Sequence, residues 1–470
     1  MMGSDHPESR IETDTMGNVR VPEGAYWGAQ TQRALDVFQV SGLRFQRRMI
    51  RALGIVKLAA ARANMDLKLL DSRRGKAILK AAEEVIEGRL DSHFPLDIFQ
   101  TGSGTSTNMN ANEVIANRAI ELLGGERGDK SLIHPNDHVN IGQSTNDVFP
   151  TVIHIAVMEA VKKDLKPQVQ KFHTGLARKA REFTEVVKAG RTHLQDAVPV
   201  TLGQEFSGYA HSIKKDLERI TRAESSLSEL ALGGTAVGTG LNTHPKFAHL
   251  AITHINKITG LKFRKAENYF EALQSRNAPL EMSGATRALA VTIMRISHDL
   301  RLLNSGPATG FAEIDLPPVE PGSSIMPRKV NPVVPEAAAL VAARVFGNDL
   351  TVTISAQNGE LELNLMMPII AHCLLESIGC EANICRILAE NCVDGIKANK
   401  ERCRQYAERS PSLMTTIAPT IGYDKAAEIV KEALTTRKSI IEILLNKGIL
   451  TPTQLKEKLN PERMTKGGRI

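Results

Sequence analysis

Aromatic side chains are scarce in this 470-residue chain, making up 4% of it with a single tryptophan. A surface that stacks nucleobases on rings is therefore disfavoured, and the formal charge of +7 comes from basic residues spread along the chain with no stripe to track a phosphate backbone. No nucleic-acid partner is expected. The charge amounts to a field mildly attractive to anionic substrates. Long apolar runs are missing too. Ala337 to Val345 is short and broken by Arg344, under the roughly 18 to 20 residues that cross a bilayer, so no membrane span is expected. Cysteine is sparse, with Cys373, Cys380, Cys385, Cys392 and Cys403 the only five. Their spacing is not that of paired metal ligands, which argues against a metal site and suits the face of a buried helix. An odd number of thiols fits a reducing, cytoplasmic compartment. The polar start, with Asp5, Pro7 and Glu8, fits neither a secretory signal nor an acid-poor transit peptide. Strand signals are weak, the best lying at Val19 to Val21.

What the chain has is helical periodicity. Phe206, Ala210, Ile213, Leu217 and Ile220 repeat at steps of four and three, as do Leu289, Ile293, Ile296, Leu300 and Leu303. Val334, Ala338, Val341 and Val345 continue the pattern in an alanine-rich segment where helices approach closely. The fold class is mainly α, with a central bundle of long helices. The apolar fraction of 42% and charged fraction of 24% are those of a compact globular protein. Length alone calls for about two to four structural units. Glycine and proline cluster at 101–105, 233–240 and 305–335, and short proline-bearing helices begin near 400. These breaks predict an N-terminal domain at 1–143, a helical bundle domain at 144–400 and a small C-terminal helical domain at 401–470.

Four segments between the helices are dense in hydroxyls, amides and ionisable groups: Thr101 to Asn108, His134 to Asp137 with Ser144 to Asn146, Gly190 to Gln195, and Gly322 to Glu336. In the first, Gly102 and Gly104 permit tight backbone geometry, and Ser103, Thr105 and Ser106 are candidate caps for a helix beginning near Asn108. Amide donors and hydroxyls at such a helix start make an anion site. Taken alone, the first segment is better explained by plain helix capping after a glycine-rich turn, and elsewhere threonine and asparagine as caps, His193 as a satisfied core histidine and Lys329 as a solvated loop charge are the plain alternatives.

Together they resemble the fumarase and aspartase superfamily, and specifically its metal-free fumarate hydratases. Gly322-Ser-Ser-Ile-Met-Pro-Arg-Lys-Val-Asn-Pro332 matches the superfamily pattern Gly-Ser-Ser-x-Met-Pro-x-Lys-x-Asn-Pro at every fixed position. The resemblance runs from Tyr26-Trp-Gly-Ala-Gln-Thr-Gln-Arg33 through Gly233 to Asn242 and on to Ile421-Gly-Tyr-Asp424. It implies three domains, a central five-helix bundle, a homotetramer with a twenty-helix core, and active sites shared between three subunits. It implies no cofactor and no metal. The implied activity is the citric acid cycle step, reversible hydration of fumarate to (S)-malate, with aspartate ammonia-lyase as the alternative.

By the same resemblance Ser323, His193 and Glu336 are catalytic, and Ser103, Thr105, Ser144, Thr145, Asn146, Thr192, Lys329 and Asn331 bind the substrate. His134, Asn136 and Asp137 match a second dicarboxylate site. Proton removal beside a carboxylate builds a second negative charge on it, so fixed donors must be waiting, and Lys329 and Asn331 supply a cation and an amide. Ser323 is the implied base. A histidine titrates near 6.5 and suits the water half of the reaction, with Glu336 to orient it. The signature loop does not separate hydratase from ammonia-lyase. Thr192-His193 does, because aspartases carry glutamine at the position of that histidine, and Thr101-Gly-Ser-Gly-Thr105 also resembles fumarase. Val333-Val-Pro-Glu336 and Ser144-Thr-Asn146 resemble aspartase instead. Arg328 stands where many members have glycine. A non-catalytic scaffold of the same fold would be free to lose these side chains, and this chain keeps them all.

Overall fold

The computed structural model describes residues 9–322, 325–326 and 329–468. Among these the architecture is mainly α, and the long helices stand where the periodicity puts them. Phe206, Ala210, Ile213 and Ile220 are buried along the 26-residue helix Leu202–Leu227. Leu217 is only half-buried, and Asp216 takes the interior place beside it. A step of three or four from Ile213 reaches either residue, so periodicity alone does not choose. Leu289, Ile293, Ile296, Leu300 and Leu303 are all buried in the helix Asn277–Leu303. Val334, Ala338 and Val345 are buried in Val333–Ala356.

The chain divides into two compact units. One comprises Met1–Pro167, Glu218–Ala290 and Ala343–Ala382, the other Gln168–Leu217, Val291–Ala342 and Asn383–Ile470. In the first, the 20-residue helix Arg47–Asp66 packs against Ser72–Glu87, Thr145–Ala160 and Phe247–Thr259. Asp71 caps Ser72–Glu87 by accepting from the amides of Arg73 and Arg74, and Gly88 closes that helix in the left-handed region at φ 87°. The expected strand at Val19–Val21 is present, Gly17–Pro22 pairing antiparallel with Ser9–Asp14. In the second unit a hairpin that the sequence reading did not foresee, Val187–Thr192 with Gln195–Thr201, packs on the helix Lys400–Arg409. Further along that unit, residues from Leu413 to Leu459 form an apolar cluster of their own.

Cys373, Cys385, Cys392 and Cys403 are buried, Cys380 is half-buried, and all five are free thiols. Burial pushes the Cys373 thiol up to about 11 and those of Cys392 and Cys403 up to about 12. One helix differs from expectation. Val333–Ala356 is long and apolar enough to cross a membrane by length and composition, although its uninterrupted apolar run ends at Arg344. An average over the helix absorbs the charges that a run-by-run reading counts as breaks. Those charges are paired in the structure: Arg344 meets Glu376 at 2.8 Å, and Asp349 meets Arg287 at 2.8 Å.

Candidate active site

In the first unit, the Thr101–Thr105 turn owes its shape to its glycines. Gly104 stands at φ 81° with Phe149 where a Cβ would be, and Gly102 lies against the Leu365 carbonyl with no room for one. The helix that follows is Thr105–Leu122, three residues earlier than the expected start near Asn108, and its N-cap is Gly104. Ser103 and Thr105 therefore do not cap it. Their hydroxyls bond each other at 2.8 Å, and Thr101 bonds Ser106 at 3.0 Å, leaving the helix start lined with hydroxyl groups.

A second helix start lies against the first. Asn108 Nδ2 donates to Thr145 Oγ1 at 3.0 Å, which ties Thr105–Leu122 to Thr145–Ala160. Ser144 caps the latter in a reciprocal box: its hydroxyl accepts from the Asn146 amide at 3.2 Å, while its own amide donates to Asp147 Oδ1 at 2.9 Å. Asp147 Oδ2 also accepts from the amides of Gly233 and Thr235, both at 2.9 Å, and Asn146 Nδ2 donates to the Ala236 carbonyl at 2.8 Å. The glycine-rich segment around 233–240 is thus folded onto the same helix start. Asp147 is fully buried, and desolvation holds its carboxyl up at about 6. The structure brings Ser103, Thr105, Ser144, Thr145 and Asn146 together around two helix N-termini, whose positive dipole ends favour a carboxylate.

Of the residues expected at a second dicarboxylate site, Asn136 and Asp137 sit on one wide turn, Pro135–Val139, in the same unit, and His134 caps it. His134 Nδ1 accepts from the amides of Asn136 and Asp137 at 3.2 Å each, and it lies 3.4 Å from Asp137 Oδ2. Its acceptor role requires an unprotonated Nδ1. Asn136 and Asp137 are exposed.

In the second unit, Thr192 and His193 are exposed at the tip of the Val187–Thr201 hairpin. His193 and Leu194 form its two-residue turn at φ 54° and 59°, a left-handed pair that side chains rarely adopt. Two charged residues of the first strand are anchored to a buried carboxylate. Arg191 donates to both oxygens of fully buried Glu313 at 3.0 Å, and its guanidinium lies 4.2 Å from the centre of the Phe311 ring. Buried Lys188 meets Glu205 at 2.8 Å and Glu313 at 3.3 Å.

Lys329 and Asn331 are exposed, and Glu336 lies in the first turn of Val333–Ala356, a helix that begins two residues before Pro335. Gly322 lies against the Lys329 carbonyl with no room for a Cβ. Ser323 and Arg328 lie outside the described residues. The expected pairing of His193 with Glu336 is not formed within one chain: among the described residues the histidines that meet a carboxylate are His134 and His254. Sequence reasoning missed Asp147 and Glu313. The first was legible as the fourth residue of the capping box Ser144-Thr-Asn-Asp147; the second, a lone glutamate far from the hairpin in sequence, carried no local signal.

The lyase family matches residues 17–347, and the fumarase C C-terminus family matches residues 413–466. A class II fumarate hydratase of Halobacterium salinarum is 52% identical over 459 residues, covering 98% of this chain and 97% of that one. An aspartate ammonia-lyase of a Bacillus species is 48% identical over 459 residues, covering 98% of each. The crystal structure of a class II fumarase from Schistosoma mansoni matches with a TM-score of 0.95 at 38% identity, over 97% of this chain and 99% of that one. On these matches, which span nearly the whole length, the chain belongs to the class II, metal-free fumarate hydratases of the fumarase and aspartase superfamily.

Proposed function

We propose that this chain catalyses the reversible hydration of fumarate to (S)-malate, with its dicarboxylate held at the paired helix starts of Thr105 and Thr145. The observation that carries the reading is the Asn108–Thr145 bond, which sets two helix N-termini and their hydroxyls side by side. Ser103, Thr105, Thr145 and Asn146 bind one carboxylate there, with Ser144 fixing the helix start. Thr192 contributes from the hairpin tip.

In the dehydration direction, Ser323 takes the proton from the carbon next to a carboxylate, and Lys329 and Asn331 stabilise the charge that this carboxylate gathers. His193 donates the proton that lets hydroxide leave as water; in hydration it accepts that proton from the attacking water. Glu336 orients His193. Because His193 and Glu336 do not meet within one chain, the pairing is made between subunits of a homotetramer. Support for that assembly comes from Val333–Ala356, whose exposed face carries Ala337, Leu340, Gly347, Leu350 and Ile354, an apolar stripe suited to packing against like helices. The division at 1–143, 144–400 and 401–470 belongs to this reading, and the self-contained apolar cluster from Leu413 to Leu459 favours the last boundary. A cytoplasmic location agrees with five free thiols. His134, Asn136 and Asp137 form the second dicarboxylate site.

The test follows fumarate absorbance with chelator-treated protein, with and without ammonium. Consumption of fumarate without ammonium supports hydration. Consumption that requires ammonium establishes instead the deaminase reading, which the 48%-identical aspartate ammonia-lyase keeps in second place. Loss of activity on chelation would overturn the metal-free mechanism.

A further inference from the structure

We propose that Lys57 is a positioning residue for the dicarboxylate site, a buried cation that holds the Asn140–Gln143 turn and, through it, the Ser144–Asn146 segment. The inference rests on the assignment of Thr145 and Asn146 to substrate binding. Lys57 lies midway along Arg47–Asp66 and is 0% exposed. Its ammonium donates to Asn140 Oδ1 at 2.8 Å and to Gln143 Oε1 at 3.0 Å. Two turns further along the same helix face, Asn64 donates to the Ile141 carbonyl at 3.1 Å. One helix thus grips three of the four residues of the turn.

The turn is also closed on itself. Asn140 Nδ2 donates to the Gln143 carbonyl at 3.1 Å, and Gln143 Nε2 donates to the Val139 carbonyl at 3.1 Å. Ser144 follows directly and opens Thr145–Ala160, so a displacement of the turn is a displacement of the helix start.

An ammonium in the interior costs stability unless a carboxylate meets it. Among the described residues Lys57 forms no ion pair, and both its partners are neutral amide oxygens. The charge that acts on it is Asp147, whose oxygens are already committed to the amides of Ser144, Gly233 and Thr235. Burial brings the ammonium down to about 7. A methionine would fill the space without that desolvation cost. What the lysine adds is fixed geometry, two hydrogen bonds donated to the turn behind the groups assigned to a dianion.

The test uses the full-length protein and steady-state kinetics with fumarate. Lys57→Met is expected to raise KM about tenfold while kcat changes less than about threefold, the pattern of lost binding shared by ground and transition states. Gln143→Glu keeps the lysine but gives it a carboxylate, and KM is expected to rise in the same sense. A merely structural lysine would lower the thermal midpoint of Lys57→Met and leave the KM of its folded fraction unchanged, which overturns the proposal. Should Lys57→Met not fold, an unchanged KM in Gln143→Glu overturns it. Asn146→Ala separates the two levels of the argument. If Asn146→Ala leaves KM unchanged, the substrate-site reading itself fails; if it raises KM and the Lys57 and Gln143 variants do not, only the role of Lys57 fails.

Discussion

Replacing Glu313 by glutamine tests whether the buried charge cluster under the hairpin serves the histidine at its tip. In the native arrangement Glu313 and Glu205 face Arg191 and Lys188, with contacts of 3.0, 2.8 and 3.3 Å. Glutamine keeps the shape and one acceptor oxygen but leaves two cations with one carboxylate, and Lys188 is fully buried. Removing one partner of a buried pair costs about 3–5 kcal/mol, and the surviving Lys188–Glu205 contact offsets part of it, so a loss of about 2–3 kcal/mol is expected. Catalysis should suffer as well. Arg191 precedes His193 by two residues, and a misplacement of about 1 Å at a reacting group costs roughly a hundredfold in rate. We expect kcat to fall at least about tenfold with KM little changed. Urea unfolding and initial rates on fumarate measure the two effects, and Lys188→Met in the Glu313→Gln background should restore part of the lost stability. A Glu313→Gln protein with the native midpoint and native kcat would refute the reasoning.

Three further outcomes follow from the site. Ser323→Ala and His193→Asn should each lower turnover by roughly two or more orders of magnitude while gel filtration shows an unchanged assembly; near-native hydration by either removes that residue from the mechanism. Gly104→Ala, at φ 81° and against the Phe149 ring, should cost about 1 kcal/mol for the backbone alone and more for the clash, seen as a lower unfolding midpoint with impaired fumarate binding. Lys57 titrates at about 7 in the folded protein against its ordinary 10.5, so between those values only the unfolded chain binds its proton, and stability rises as pH climbs from 7 toward 10.5 and falls again as pH returns to 7. Denaturation midpoints between pH 7 and 9 should therefore climb less in Lys57→Met than in the wild type, and equal slopes would contradict the buried charge.

The helical class was legible because a helix repeats its buried face every three or four residues, as Leu289, Ile293, Ile296, Leu300 and Leu303 do without exception. The choice between Asp216 and Leu217 was not, since both lie within one step of the stripe. The hairpin under His193 was invisible for another reason. Its two-residue turn is made by His193 and Leu194 rather than by the glycine or asparagine that announces such turns, and Glu313, which its Arg191 meets, lies more than a hundred residues away. The site followed the same division.

By itself the sequence determined the family, because an eleven-residue signature and segments spread over the whole length agree on it. It also supplied candidates for the reacting groups, which the chemistry restricts to few residue types. Only the tertiary structure decided which buried charges lie beside them: Asp147 at the helix start of Thr145, Glu313 against Arg191 of the hairpin, and Lys57 against the turn at Asn140. Those roles depend on burial, which turns ordinary charged residues into fixed fields, and burial is a property of the folded chain that no local stretch of sequence contains.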